Sequence, residues 1–198
     1  ARHQLPDIFR ALQLGNTAPF VRIARPESHL AIQALEAGAK GIIVPNVSDG
    51  WQIEAIKNHI TYPPDGTRGV GFNRANGYGK YFRDYLKFEP ILVAMIEHHS
   101  SIEEVKNICK HVDAILIGPY DLSASLGEAG NFDSKQFKQA LATIHGLCKH
   151  ENTPIGMHVV EPSKEKLQQF IDNGYRFISY STDTVILESA LSHLQSSG

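Results

Sequence analysis

The chemistry-bearing residues of this chain stand at the ends of its apolar runs. Glu97 follows Ile91-Leu92-Val93-Ala94-Met95-Ile96, and Asp121 follows Ile115-Leu116-Ile117-Gly118-Pro119-Tyr120. A carboxylate closing a wholly apolar strand is costly to desolvate unless it is paired or bound to a metal. Two of them at the ends of neighbouring parallel strands can converge on one cation. Hard oxygen donors with open positions suit Mg²⁺ or Mn²⁺. The plainer alternative makes both residues loop or helix-cap positions. Arg22 ends Pro19-Phe20-Val21-Arg22-Ile23; its guanidinium suits a carboxylate or a developing enolate oxygen, or else a surface ion pair. Asn46, His158 and Ser181 through Asp183 are the other polar residues at such ends. His158 either faces the site or is a buried, hydrogen-bonded histidine, and Asp183 reads as a helix N-cap. His98 and His99 are adjacent, so their side chains diverge, and they read as solvated or supporting groups rather than as joint ligands.

These residues need elements to position them. The runs Phe20–Ile23, Gly41–Val44, Ile91–Ile96, Ala114–Ile117, Ile155–Val159 and Phe177–Tyr180 are rich in Ile and Val and bounded by Gly, Pro or polar residues. Continuous hydrophobicity without alternation suits strands of a parallel sheet, buried on both faces. Amphipathic stretches alternate with them: 4–14, 28–37, 48–59, 102–112, 134–149, 163–173 and 184–194. Ser100 and Ser101, each followed three residues later by a glutamate, offer capping boxes for the 102–112 helix. One helix followed by six strand–helix units is an α/β pattern. Strand starts recur about every 22 residues in three of five intervals, which suits a barrel of βα units. A closed barrel has eight strands and ~250 residues, so an open doubly wound sheet of six stays possible on counting alone. In either architecture the site lies beyond the C-terminal ends of the strands. The Gly- and aromatic-rich insert at 62–85 reads as a loop bordering a site; its Gly-x-Gly lacks the context of a phosphate loop.

The 198 residues are expected to form one domain, with 42% hydrophobic and 20% charged residues excluding a disordered chain. The net charge is −2 and the Lys and Arg residues are scattered, so neither nucleic acid nor a membrane surface is the expected partner. The apolar runs are too short to span a bilayer. Two cysteines, Cys109 and Cys148, make no disulfide framework, which points to a reducing, cytoplasmic setting. The chain opens on Ala1 rather than Met, so it is expected to be processed or part of a longer protein.

Five stretches in order resemble the HpcH/HpaI family of metal-dependent pyruvate aldolases, the 2-dehydro-3-deoxyglucarate and 4-hydroxy-2-oxoheptanedioate aldolases among them. They are Val21-Arg22-Ile23; Leu35-Glu36-Ala37-Gly38-Ala39 through Ile43-Val44-Pro45; Tyr62-Pro63-Pro64 through Arg68-Gly69-Val70-Gly71 and Arg74-Ala75; Met95-Ile96-Glu97; and Ile117-Gly118-Pro119-Tyr120-Asp121-Leu122-Ser123-Ala124-Ser125-Leu126-Gly127. The resemblance implies a (β/α)₈ TIM barrel, of which this chain covers about six units, the third to the eighth. It implies a homo-oligomer that exchanges its last helix. It also implies a class II aldolase that cleaves 4-hydroxy-2-oxo acids or 2-keto-3-deoxy sugar acids to pyruvate and an aldehyde through a pyruvate enolate. On that template Glu97 and Asp121 hold a divalent cation (Mg²⁺, Mn²⁺ or Co²⁺), the backbone around Tyr120 and Asp121 holds the substrate carboxylate, and Arg22 stabilises the enolate oxygen. The family's base is a histidine that falls before Ala1; His3 is near but does not fit its motif. Glu36 stands where the family has an aspartate that supports that histidine across a subunit boundary. Met95 stands where some members have Gln. The alternatives are a citrate lyase β-like enzyme acting on CoA thioesters and a truncated, non-catalytic member.

Overall fold

The computed structural model describes residues 4–195. All six apolar runs form strands: β1 Phe20–Arg22, β2 Gly41–Val44, β3 Ile91–Ile96, β4 Ala114–Ile117, β5 Ile155–Val159 and β6 Phe177–Tyr180. All neighbours are parallel, and they pair in simple sequence order from β1 to β6. A doubly wound sheet reverses its strand order at a switch point; this one does not. It also curls. Phe20 on β1 and Phe177 on β6, the two outermost strands, bring their rings to 5.6 Å between centroids. The fold is therefore a curled six-stranded parallel half-barrel, and the open-sheet alternative falls.

The two faces of the sheet carry different cores. The concave face packs Val93, Met95, Ala114 and Leu116 with Phe20, Ile43 and Phe177. The convex face buries Ile42, Val44, Ala94, Ile96, Ile115 and Ile117 under the helices. Those helices are α1 Leu5–Leu14, α2 Ser28–Ala37, α3 Gly50–Ile60, the short α4 Phe82–Tyr85 and α5 Val105–Cys109, α6 Pro119–Ser125, α7 Lys135–His150, α8 Lys164–Asp172 and α9 Asp183–Gln195. Among the described residues no helix is long and apolar enough to cross a membrane.

Local chemistry sets the helix ends. Asp49 caps α3 by accepting from Gln52 N at 2.9 Å, and Ser134 caps α7 by accepting from Phe137 N at 3.2 Å. Gly38 ends α2 in the left-handed region, at φ 111°, where a Cβ is penalised. Two expectations give way. The 102–112 helix is shortened to α5 after a separate 3₁₀ turn at His99–Ser101. Its expected caps are otherwise engaged, because Ser101 Oγ donates to Val47 O at 2.7 Å and Ser100 bonds to the His98 ring. Asp183 is the first helical residue of α9 rather than its cap; Thr182 Oγ1 accepts from Val185 N, two residues beyond Asp183.

Candidate active site

Strand alternation sends every second side chain of β3 into the concave face. Val93 and Met95 lie there, and Glu97 continues the row just past the strand end. Glu97 is buried, 7% exposed. Its Oε2 accepts from Asn46 N at 2.8 Å. Asn46 makes that bond from a left-handed backbone, φ 49°, which asparagine tolerates better than most residues. Burial raises the Glu97 pKa, and the neighbouring Asp121 carboxylate raises it further, while the Asn46 N–H and the charge of Arg22 oppose the rise.

Asp121 reaches this place from the next strand. β4 ends at Ile117, Gly118 follows, and Pro119 opens α6, with Asp121 in its first turn. Pro suits the first helical position because its missing N–H is not needed there. Gly118 leaves room for the pair: a Cβ at this position would lie 2.7 Å from Glu97 Cγ and 3.0 Å from its Oε1. Two adjacent strand ends thus hold two carboxylates side by side. Arg22, exposed at the end of β1, acts through space on Glu97 of β3 and on His158 of β5. The curl of the sheet brings this first strand across to both.

His158 is half-buried on the concave face, opposite Ser179 of β6. Its Nε2 is enclosed and has no hydrogen-bond partner among the described residues. Burial, then Arg22, lowers its pKa below 6.5, so the ring is neutral near pH 7. Ser181, at the tip of β6, is buried and its Oγ likewise has no partner among the described residues.

Not every expected residue joins the cluster. The Tyr120 ring is exposed and packs edge-on against Phe132 at 5.0 Å, so only its backbone can serve the site. Glu36 lies one residue before the end of α2, which leads into the start of β2, at the opposite end of the sheet. Its neighbours in charge are Tyr62 and Tyr85, beside Arg68. His98 and His99 are exposed, but their side chains do not diverge as expected: the rings lie 4.4 Å apart, tilted by 33°. His3 lies outside the described residues. Met95 packs in the concave core. Gly118 and Arg68 enter the sequence reading only as parts of motifs. A glycine's steric duty and a buried guanidinium leave no periodic signal.

Among the described residues no group of three or more His, Cys, Asp or Glu side chains gathers to hold a metal. The donor set at the strand ends is the carboxylate pair alone. Two hard anionic oxygens beside an open mouth fit a cation that keeps water and substrate in its remaining positions.

Comparison with known proteins agrees with this arrangement. Residues 1–190 match the HpcH/HpaI aldolase/citrate lyase family. The chain is 29% identical over 192 residues to a 2-dehydro-3,6-dideoxy-6-sulfogluconate aldolase of Pseudomonas putida, spanning 94% of this chain and 74% of that one. It is 32% identical over 192 residues to a 4-hydroxy-2-oxovalerate aldolase of Novosphingobium aromaticivorans, spanning 91% of this chain and 71% of that one. The crystal structure of an HpcH/HpaI aldolase/citrate lyase family protein from Burkholderia cenocepacia J2315 superposes with a TM-score of 0.88 at 28% identity, covering 99% of this chain and 80% of the other. A parallel sheet in unbroken order, a carboxylate pair at two adjacent strand ends and a family match over nearly the whole chain have one common explanation: the chain belongs to the HpcH/HpaI aldolase/citrate lyase family and is a lyase.

Proposed function

We propose that this protein cleaves 4-hydroxy-2-oxo acids, 2-keto-3-deoxy sugar acids among them, to pyruvate and an aldehyde with the help of a divalent cation. The observation that carries the reading is the approach of Glu97 and Asp121 to one another beside Arg22. Glu97 and Asp121 are the residues that hold Mg²⁺, Mn²⁺ or Co²⁺. Such an ion, when bound, supplies a Lewis acid that lowers the cost of negative charge on the 2-oxo oxygen. Arg22 directs a charge-assisted hydrogen bond at the same developing oxyanion. The first-turn amides of Tyr120 and Asp121 have no partner inside α6 and bind the substrate carboxylate. The buried Glu97, fixed by Asn46 N, holds its place without reorganising as charge develops.

The uninterrupted strand order and the curl support a barrel of eight βα units, six of them in this chain. Exposed Ile186, Leu187 and Leu191 on α9 support assembly with further copies, since such side chains are usually covered. Glu36 then serves a second copy, where it orients the base that moves the proton of the pyruvate methyl.

The test is pyruvate release from a 4-hydroxy-2-oxo acid, followed with solvent deuterium exchange into the pyruvate methyl. EDTA should abolish both, and Mg²⁺, Mn²⁺ or Co²⁺ should restore them. Cation-loaded protein that does neither overturns the proposal.

A further inference from the structure

The proposed chemistry leaves the two cysteines of the chain without work. Cys109 ends α5, and Cys148 lies in the last turn of α7. Both are free thiols buried in the convex core, Cys109 6% exposed and Cys148 1%. The topology makes them neighbours. α5 runs back to the start of β4 and α7 to the start of β5, and β4 pairs with β5. The C-terminal ends of the two helices therefore meet at one end of the sheet, away from Glu97 and Asp121. There the side chains touch: the Cys148 thiol hydrogen-bonds to the Cys109 sulfur, and the Thr153 hydroxyl does so as well. Thr153 is set in place by its own backbone, whose N–H donates to Cys148 O at 2.9 Å. The two sulfurs differ in chemistry. The bond from Cys148 lowers the Cys109 pKa, burial opposes it, and the bond from Thr153 lowers it again. The same pairing, and then burial, raise the pKa of Cys148. The thiolate is the reactive form of cysteine, so Cys109 is the sulfur that attacks. It is also the less enclosed of the two.

We propose that Cys109 and Cys148 are a modification site, at which hydrogen peroxide converts the two thiols to a disulfide that fastens α5 to α7. The Cys109 thiolate attacks one peroxide oxygen and the O–O bond breaks. The departing oxygen takes up a proton and leaves as water, and Cys109 becomes a sulfenic acid. The Cys148 sulfur then attacks that of Cys109. The S–S bond forms as the S–O bond breaks, and the sulfenic hydroxyl leaves with the Cys148 proton as a second water. The sulfur pair loses two electrons and the peroxide gains them. A dithiol reverses the step by exchange. The bridge closes residues 109–148 into a loop that holds β4 and α6, Asp121 included, and so restricts the unfolding of that segment. The inference stands apart from the aldolase reading, because neither thiol lies at the mouth of the sheet.

The test treats the folded, reduced protein with a small excess of hydrogen peroxide. Both thiols should be lost to a thiol reagent added in denaturant. A peptide map should join Cys109 to Cys148 within one chain, the joined peptides weighing two hydrogens less than their sum. The urea midpoint should rise, and dithiothreitol should undo all three changes. In Cys148→Ser the reaction should stop at a sulfenic acid on Cys109, which dimedone traps, while Cys109→Ser should resist the same dose. Thiols that survive a dose able to oxidise the urea-unfolded chain overturn the proposal. So does oxygen added to either cysteine without a bridge, or a link between chains in place of one within a chain. A bridge that leaves the urea midpoint unraised overturns the fastening. The wild-type measurements decide the matter even where neither variant folds.

Discussion

At the scale of single residues, the site is an argument about charge held out of water. Glu97 has one fixed donor, Asn46 N, and a like charge beside it. Removing the charge without the shape, as in Glu97→Gln or Asp121→Asn, should therefore spare the fold and weaken cation binding. Isothermal titration with Mn²⁺ would show that loss. The kcat/KM of aldol cleavage should drop by about 10² or more, the scale on which lost electrostatic stabilisation is felt. Retention of tight Mn²⁺ binding by both variants would remove these residues from the metal site. His158 makes a different prediction. Burial and Arg22 hold its pKa below 6.5 in the folded state, so the unfolded chain takes up a proton first as pH falls. The stability contributed by the neutral ring is complete above pH 6.5 and is lost as pH falls through the folded pKa. His158→Leu cannot lose it. The variant should gain on wild type between pH 7.5 and 5.5, by at most about 1.4 kcal/mol per pH unit. Urea midpoints across that range measure the difference, and a flat difference would mean the ring takes up its proton alike in the folded and the unfolded chain. The strand-end positions of Glu97, Asp121 and Arg22 were legible in the sequence, because a polar residue closing an apolar run has few places to go, whereas the sequence left open which way His158 faces. That no described residue partners His158 Nε2 or Ser181 Oγ was not legible, since it depends on what the other strands fail to offer.

At the scale of elements, the sheet does the positioning and the loops fine-tune it. Runs of Ile and Val announced all six strands, because burial on both faces leaves no room for polar residues. The helix expected over 102–112 is shortened to Val105–Cys109 by a contact from outside it. Ser101 looks like a cap in sequence, yet its hydroxyl is taken by Val47 O of the loop after β2, a contact across 54 residues that no local pattern encodes. The insert at 62–85 reads in the sequence as a loop bordering a site, but it is anchored at the end of the sheet opposite the carboxylate pair, through contacts no local pattern encodes. Tyr85 Oη donates to Leu35 O at 3.3 Å and Arg74 Nη1 to Ala37 O at 2.8 Å. Both contact carbonyls of the last turn of α2, Leu35 O also accepting from Gly38 N at 3.0 Å, so the insert staples the end of α2 that carries Glu36. The β4–α6 junction makes the sharpest prediction. Gly118 has an ordinary φ of −93°, so alanine meets no backbone strain there. Its Cβ would instead meet Glu97 Cγ at 2.7 Å. Gly118→Ala should lower activity about 10²-fold and shift unfolding by no more than about 1 kcal/mol. Equal loss of stability and activity in thermal melts and assays would assign the glycine to packing instead.

At the scale of the whole molecule, the half-barrel sets a problem of distance. Arg22, Glu97 and Asp121 share the C-terminal mouth of the sheet, while Glu36 stands at the far end, beneath the insert. One rigid chain cannot bring both ends together, so if Glu36 takes part in proton transfer it does so in a second copy. The exposed apolar residues agree with this: Ile186, Leu187 and Leu191 on α9, and Phe72 and Tyr78 on the insert that staples α2. Each pair of copies would then build two sites, each drawing Glu36 from one chain and the carboxylate pair from the other. In a two-fold assembly, mixing inactive Glu36→Gln with inactive Glu97→Gln and allowing exchange would yield mixed pairs. One site of each mixed pair carries both defects and the other carries none. Random pairing should restore roughly a quarter of the sites. Each variant alone should stay inactive at any concentration, and cross-linking before mixing should block the rescue. Full activity of Glu36→Gln alone would remove this residue from the reaction. Rescue that fails despite demonstrated subunit exchange would place the whole site within one chain, with the proton moved by a group other than one that Glu36 supports.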